Sequence, residues 1–119
     1  MVTELKPNVR IEDTFELLDI RVGKILSVEV AEKAVKASYK LSVDFGKFGI
    51  RISVARLTNH SVDDLVGRRV LGVLNFEPRV VGGIESQFLT LGVQIPKADS
   101  GEATIISPVI EVKLGSKLF

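Results

Sequence analysis

The sequence predicts a mainly β fold: a five-stranded barrel with a short N-terminal helix and C-terminal extension strands. Three features predict it. Valine and isoleucine are used heavily, 17 and 10 times, and both pack well on a pleated surface. The ten glycines fall between apolar runs, where turns between short strands need them. Residues 38–55 alternate apolar and polar over two consecutive runs, the period of half-buried strands.

The elements follow in chain order. Residues 1–19 carry Glu4, Glu12, Asp13, Glu16 and Asp19 against Lys6 and Arg10. Asp13 followed by Glu16 has the spacing of a helix start, and Phe15, Leu17 and Leu18 supply its apolar side. So short a helix is not stable alone and must dock. A long strand is expected over Arg21–Glu32, with Val22, Leu26, Val28 and Val30 on one face and Gly23 marking a bulge or bend. Tyr39, Leu41, Val43 and Phe45, then Phe48, Ile50, Ile52 and Val54, predict a hairpin across a Gly-Lys turn. Its wet face is expected to carry Lys40, Arg51 and Ser53. In Ser61–Gly67 a single helical turn is read, with Ser61 as N-cap and Gly67 as stop. Arg69–Phe76, apolar on both parities, reads as a central strand. A loop, 77–85, precedes a strand near Gln87–Gln94. The tail has a short strand at Ala103–Ser107, then Pro108 and a Val109–Leu114 stretch. Five principal strands with a helical turn before the fourth is the order of an OB-fold barrel. We expect one domain over 1–119: an extension at 1–19, a barrel core at 20–95 and a second extension at 96–119. The apolar residues of the extensions are expected to bury one another across a two-fold axis, giving a homodimer.

Composition narrows the functional classes. At 119 residues, 45% apolar and 26% charged, the chain has the apolar content of a globular domain and not of a disordered one. Without cysteine, disulfides, thiol nucleophiles and cysteine-held zinc are excluded. His60 is the single histidine, which excludes a two-histidine metal site within one chain. No apolar run approaches the roughly 20 residues of a membrane span. The first 20 residues lack a signal-peptide core. We expect a soluble, cytoplasmic protein without membrane insertion. No phosphate-cradling glycine loop and no G-x-S-x-G is present. Asp63-Asp64 reads as helix-start charge and His60 as a loop residue. No catalytic residue, metal or cofactor is therefore assigned.

The net charge of +1 argues for no polyanionic partner, so any nucleic-acid case rests on local clustering. Lys33, Lys36, Lys40, Lys47, Arg51 and Arg56 stand against Asp44 alone between residues 33 and 56. In an OB-fold the face of strands two and three, with the one–two and four–five loops, binds oligonucleotides. Lys33, Lys36, Lys40, Arg51, Arg56 and Arg79 converge there from separate stretches. Charges placed for solubility and edge protection are the open alternative. Asn75-Phe-Glu-Pro-Arg79, then Gly82-Gly-Ile-Glu-Ser86, is the more specific feature. Pro78 and the glycines shape the loop. Asn75 donates and accepts, Arg79 forks to phosphate or stacks on a base, and Ser86 reaches a ligand oxygen. Asn75 and Ser86 serving only to tie down the loop is the competing reading. Val80, Val81 and Ile84 either line a shallow apolar pocket suited to binding an extended peptide chain, or pack inward or at the dimer seam.

Asp19-Ile-Arg-Val-Gly-Lys-Ile25, Tyr39-Lys-Leu-Ser-Val-Asp-Phe-Gly46, Asn75-Phe-Glu-Pro-Arg79 and Ser86-Gln-Phe-Leu-Thr-Leu-Gly92 occur in that order. Together they resemble the tRNA-binding OB-fold family, in particular its branch of small stand-alone CsaA proteins, export-related chaperones. The resemblance runs from about Phe15 to the C-terminus. It implies an OB barrel, a homodimer and tRNA binding without catalysis. For the branch it also implies binding of unfolded or precursor polypeptides and association with the export ATPase. A polypeptide-binding chaperone in which RNA binding is incidental is the alternative. Asn75, Pro78, Arg79 and Ser86 match the family's N-x-x-P-[RK]…G-x-x-S pattern, and Ser53 falls on its third-strand serine. The stretch between strands one and two, the Ser53-Val-Ala-Arg56 segment and Leu89 depart from the family pattern.

Overall fold

The computed structural model describes residues 5–96 and 101–119. Glu4 of the acidic segment and residues 97–100 of the expected C-terminal extension lie outside the described residues. Strands β1 (Ile20–Val30), β2 (Tyr39–Asp44), β3 (Ile50–Ala55), β4 (Arg69–Val73) and β7 (Leu89–Thr90) form one antiparallel sheet in the order β3-β2-β1-β4-β7. The long first strand pairs with both neighbours, β4 along its first half and β2 along its second. Between the free edges the sheet nearly closes through Gln87. Its N–H donates to the Ile52 carbonyl at 2.7 Å, and its Oε1 accepts from the Ile52 N–H at 2.9 Å. Helix α1 (Val62–Leu65) caps one end, with Ser61 Oγ accepting from the Asp64 N–H as expected.

The core is built on the second strand. Tyr39, Leu41, Val43 and Phe45 are buried, as their alternation predicts. Phe45 and Phe88 meet edge to face, with ring centroids 4.9 Å apart. Two glycines make room for them. A Cβ on Gly23 would lie 2.7 Å from the Phe45 ring, and one on Gly72 would lie 2.7 Å from the Phe88 ring. Gly23 therefore marks a close approach of side chains to backbone.

The bulge lies elsewhere. The register between β1 and β2 shifts between Ile25 and Ser27, so Leu26 is the extra residue. Ile20, Val22, Ile25 and Val28 are buried, while Leu26 and Val30 are exposed. The expected single face of Val22, Leu26, Val28 and Val30 fails in two ways: Leu26 is the exposed extra residue of the bulge, and Val30, although it shares the parity of buried Val28, is exposed at the end of the strand.

A second reversal decides the character of the hairpin. The β2–β3 connection is not a two-residue Gly-Lys turn. It spans Phe45–Gly49 around a 3-10 turn, and Asp44 pairs with Ile50. An odd loop slips the register by one and turns every β3 side chain over. Arg51, Ser53 and Ala55 lie opposite Val43, Leu41 and Tyr39, whose side chains are buried, whereas Ile50, Ile52 and Val54 share the outer face with Lys40, Ser42 and Asp44. The expectation of a wet face carrying Arg51 and Ser53 is thus corrected; only Lys40 stands there.

The expected loop at 77–85 is a hairpin, β5 (Arg79–Val81) and β6 (Ile84–Ser86). The strand expected near Gln87–Gln94 is broken at Leu91: β7 stays on β4, and β8 (Gly92–Gln94) leaves to pair with β9 (Ala103–Ile105). The N-terminal helix is a pair of 3-10 turns, Ile11–Asp13 and Phe15–Leu17, and no side chain caps either. Val109–Leu114 forms no strand. The segment after it runs along the part of β1 that β2 does not reach, with Gly115 N–H donating to the Val22 carbonyl at 2.8 Å and Leu118 N–H to the Ile20 carbonyl at 2.9 Å.

Because the two glycines leave no space for a methyl group, Gly23→Ala and Gly72→Ala should each lower stability by about 1–3 kcal/mol through overpacking. Urea unfolding measures this, and midpoints equal to the unsubstituted chain would contradict the packing described.

Candidate nucleic-acid interface

The β5–β6 hairpin turns through Gly82 and Gly83, with φ of 56° and 78°. Two consecutive left-handed residues are what a tight two-residue hairpin turn demands. Its tip presses on the β1–β2 loop: a Cβ on Gly82 would lie 2.7 Å from the Ala34 nitrogen. Loops from opposite ends of the sequence thereby meet, and Lys33 and Lys40 share a shallow cleft with Ile84, Glu29 and Glu32.

A second cleft, of about 330 Å³, is lined by Val54, Phe76, Glu77, Arg79, Ser86, Phe88 and Leu89. Val54 is the cross-strand neighbour of Lys40, so the two clefts adjoin through that pair. Arg79 is exposed and makes no hydrogen bond or ion pair among the described residues. Pro78, also exposed, precedes it at the start of β5. Val54 and Phe76 were not singled out from the sequence, because the parity of β3 and the fold of the 75–79 segment decide that they line this cleft.

The remaining expected contact residues are placed differently. Lys36 is exposed on the β1–β2 loop but lines neither cleft. Arg51 donates to the carbonyls of Phe48 and Leu74, both at 3.3 Å. Ser53 is buried and accepts from Thr90 Oγ1 at 2.9 Å. Arg56 lies 3.2 Å from the buried Glu102 carboxylate, whose other oxygen accepts from Thr58 Oγ1 at 2.8 Å. Truncating one partner of a buried ion pair strands the other's charge, so Arg56 belongs to the attachment of the β8–β9 hairpin.

Asn75 uses both ends of its amide on the N-terminal segment. Oδ1 accepts from the Asp19 N–H at 2.8 Å, and Nδ2 donates to the Leu17 carbonyl at 2.8 Å. Ser86 Oγ accepts from the Val54 N–H at 3.2 Å, supplying a rung of the barrel closure. Both side chains thus tie elements together, the competing reading of the sequence. Of the apolar trio, Val80 is exposed, while Val81 and Ile84 are half-buried. His60 bonds Thr104 Oγ1 at 2.9 Å, and among the described residues no group of three His, Asp or Glu side chains is placed to hold a metal.

A nearly closed five-stranded barrel of this order, with basic residues from two loops gathered beside one face, defines an OB-fold binding module. The chain belongs to the family described as "Putative tRNA binding domain", whose model matches residues 20–117. It is 42% identical over 112 residues to methionine–tRNA ligase of Thermococcus onnurineus, covering 92% of this chain and 14% of that protein. The Methanosarcina acetivorans methionine–tRNA ligase is 36% identical over 118 residues, covering 97% and 16%. The chain thus spans about one-seventh of the length of these curated relatives. Among solved structures it is similar to the chaperone CsaA of Bacillus anthracis, with TM-score 0.86, 32% identity and coverage of 95% of this chain and 100% of that one. The CsaA chaperone protein of Picrophilus torridus gives 0.84, 30%, 94% and 100%.

Replacing Asn75 with Ala removes both bonds to the N-terminal segment, each contributing about 1 kcal/mol. Asn75→Ala should lower stability by about 1–2 kcal/mol and speed hydrogen exchange at the Asp19 amide. An Asp19 amide as protected as in the unsubstituted chain would show that Asn75 is not the clamp.

Proposed function

We propose that this chain is a non-catalytic tRNA-binding module that reads the shape and phosphates of a structured RNA. The observation that carries it is the seating of the Gly82-Gly83 turn on Ala34, which gathers Lys33 and Lys40 beside the strand bearing Arg79. Arg79 is the contact we place first, because among the described residues the side chains of the other six arginines bond to protein groups and that of Arg79 does not. Pro78 fixes the backbone entering it. Lys36 extends the basic edge along the loop. Asn75, Ser86, Ser53, Arg51 and Arg56 support the surface from behind.

A second reading, a polypeptide chaperone of the CsaA type working in the cytoplasm with the export ATPase, is favoured by the apolar half of the Arg79 cleft. Phe76 and Leu89 are 45% and 39% exposed there. Exposed apolar surface with a polar rim suits an extended chain. In this proposal both ligands share the cleft.

We also propose a homodimer. Leu17, Val109, Ile110 and Phe119 are exposed on the terminal segments, and Phe15, Leu18 and Leu118 form the apolar part of a groove between the two ends that Lys117 borders as well. Two copies laid together there would bury these residues, each fully covered side chain contributing about 1.5–3 kcal/mol.

Arg79→Ala should weaken tRNA binding and lower the slope of log affinity against log salt by about one, the loss of one phosphate contact. Filter binding across a salt series measures both; unchanged affinity and slope would remove the case for this surface. Light scattering at micromolar concentration should give twice the 13.0 kDa chain mass, and a monomer would rule out the dimer. An unfolded polypeptide should be displaced by saturating tRNA, whereas simultaneous binding would separate the two sites.

A further inference from the structure

Cations are concentrated most strongly away from the Arg79 cleft. A cleft between the β2–β3 turn and the C-terminal tail is lined by Arg21, Lys47, Lys113 and Lys117, with Gly46, Leu114, Gly115 and Ser116 between them. Among the described residues no carboxylate lines it. By contrast, the Lys33–Lys40 cleft carries Glu29 and Glu32, and the Arg79 cleft carries Glu77. Lys47, Lys113 and Lys117 are exposed and form no ion pair among the described residues. Of the nearby acids, Asp19 is paired with the cleft's own Arg21, Asp44 accepts from the Gly46 N–H at 2.8 Å at its edge, and Glu111 is held by Arg69 at 3.1 Å.

The cleft is also held rigidly. Gly46 and Gly115 have φ of 66° and 89°; a Cβ on the first would lie 2.6 Å from the Leu114 carbonyl oxygen, and one on the second 2.8 Å from that of Phe45. Turn and tail therefore interlock backbone to backbone. The Phe48 ring sits between two of the cations, with Arg21 at 4.6 Å and Lys47 at 5.3 Å from its centroid. Arg21 also donates to the Gly115 carbonyl at 3.2 Å. Arg21 is paired with Asp19, so the unpaired positive charge rests on Lys47, Lys113 and Lys117; holding three like charges in one concavity raises the local potential toward anions.

We infer that this cleft is a second phosphate-binding site, which takes the backbone of the RNA beyond the Arg79 cleft. The inference rests on the tRNA-binding reading above. Asn75, the chain neighbour of Phe76 in the Arg79 cleft, bonds through Oδ1 to the Asp19 N–H, and Asp19 Oδ1 accepts from Arg21 Nε of the second cleft. A nucleic-acid backbone is the ligand that supplies several phosphates in a row to spaced lysines, and such contacts require charge without base recognition.

The test uses the full chain and a tRNA transcript, with affinity measured across a salt series for the triple variant K47A/K113A/K117A, the triple variant K47R/K113R/K117R, and R79A. Circular dichroism and size-exclusion elution check fold and assembly. The alanine variant should lose about two to three units of salt slope, since each phosphate contact contributes about 0.9, and the arginine variant should keep the full slope. If the alanine variant keeps affinity and slope while R79A loses them, the second site is overturned and the Arg79 reading stands. Should R79A be unaffected while the alanine variant loses its slope, the second site stands and the Arg79 reading falls. A loss that arginine does not restore, or one accompanied by a change of oligomeric state, assigns the lysines to structure and overturns the inference. Absence of tRNA binding by the unsubstituted chain overturns both.

Discussion

The packing of Phe45 against two glycines is the constraint on which the rest of this molecule depends. Its ring occupies the space that a side chain on Gly23 or Gly72 would fill, and it meets Phe88 edge to face. That contact ties β1, β4 and the segment before β7 to the end of β2. It also requires Phe45 to point inward as the last core residue of its run. The chain can then reverse only through the Phe45–Gly49 turn, where the Phe45 N–H donates to the Gly49 carbonyl at 3.0 Å. From that turn follow the register of β3, the outward face of Ile50, Ile52 and Val54, and the inward placement of Arg51 and Ser53. The character of the binding surface is thus a consequence of how one aromatic side chain is accommodated.

This explains what was legible in the sequence and what was not. The barrel order, the alternation of Tyr39–Phe45 and the Ser61 cap each depend on residues near one another in the chain, and the structure has all three. The face of β3 was not legible, because alternation has a period but no sign. A single residue in the turn, or one bulge at Leu26, exchanges the two faces while leaving the pattern intact. The β5–β6 hairpin carried a local signal, Gly82-Gly83 between Val80-Val81 and Ile84, which favours a tight turn over an open loop. The cationic cleft was beyond reach of local reading, since it joins residues near positions 21, 47 and 115.

The Asn75–Ser86 motif has a different meaning once bonds are assigned. Asn75 spends both ends of its amide on Asp19 and Leu17, and Ser86 supplies a rung to β3. Ser86 is buried, while Asn75 is exposed and keeps one amide N–H beyond these two bonds. Arg79, three residues after the last bulky position of the same segment, faces outward with no protein partner among the described residues. The motif therefore divides into a frame and a side chain proposed as the contact. The frame fixes where β5 starts relative to the barrel, so Arg79 is presented from a defined position.

Charge is divided between the two basic residue types in the same way. Every ion pair among the described residues uses an arginine, and none uses a lysine. A planar guanidinium makes several directed bonds at once, which suits it to joining segments: Arg21 reaches Asp19 and Gly115, Arg51 reaches Phe48 and Leu74, and Arg69 reaches Val112 and Glu111. Lysine, a strongly hydrated point charge on a flexible stem, gains less from such positions and stays in solvent. The acids consumed by these arginines no longer offset the lysines around them. A chain whose formal charge is +1 can therefore present a cleft lined by cations, with Asp19 and Glu111 beside it held by Arg21 and Arg69.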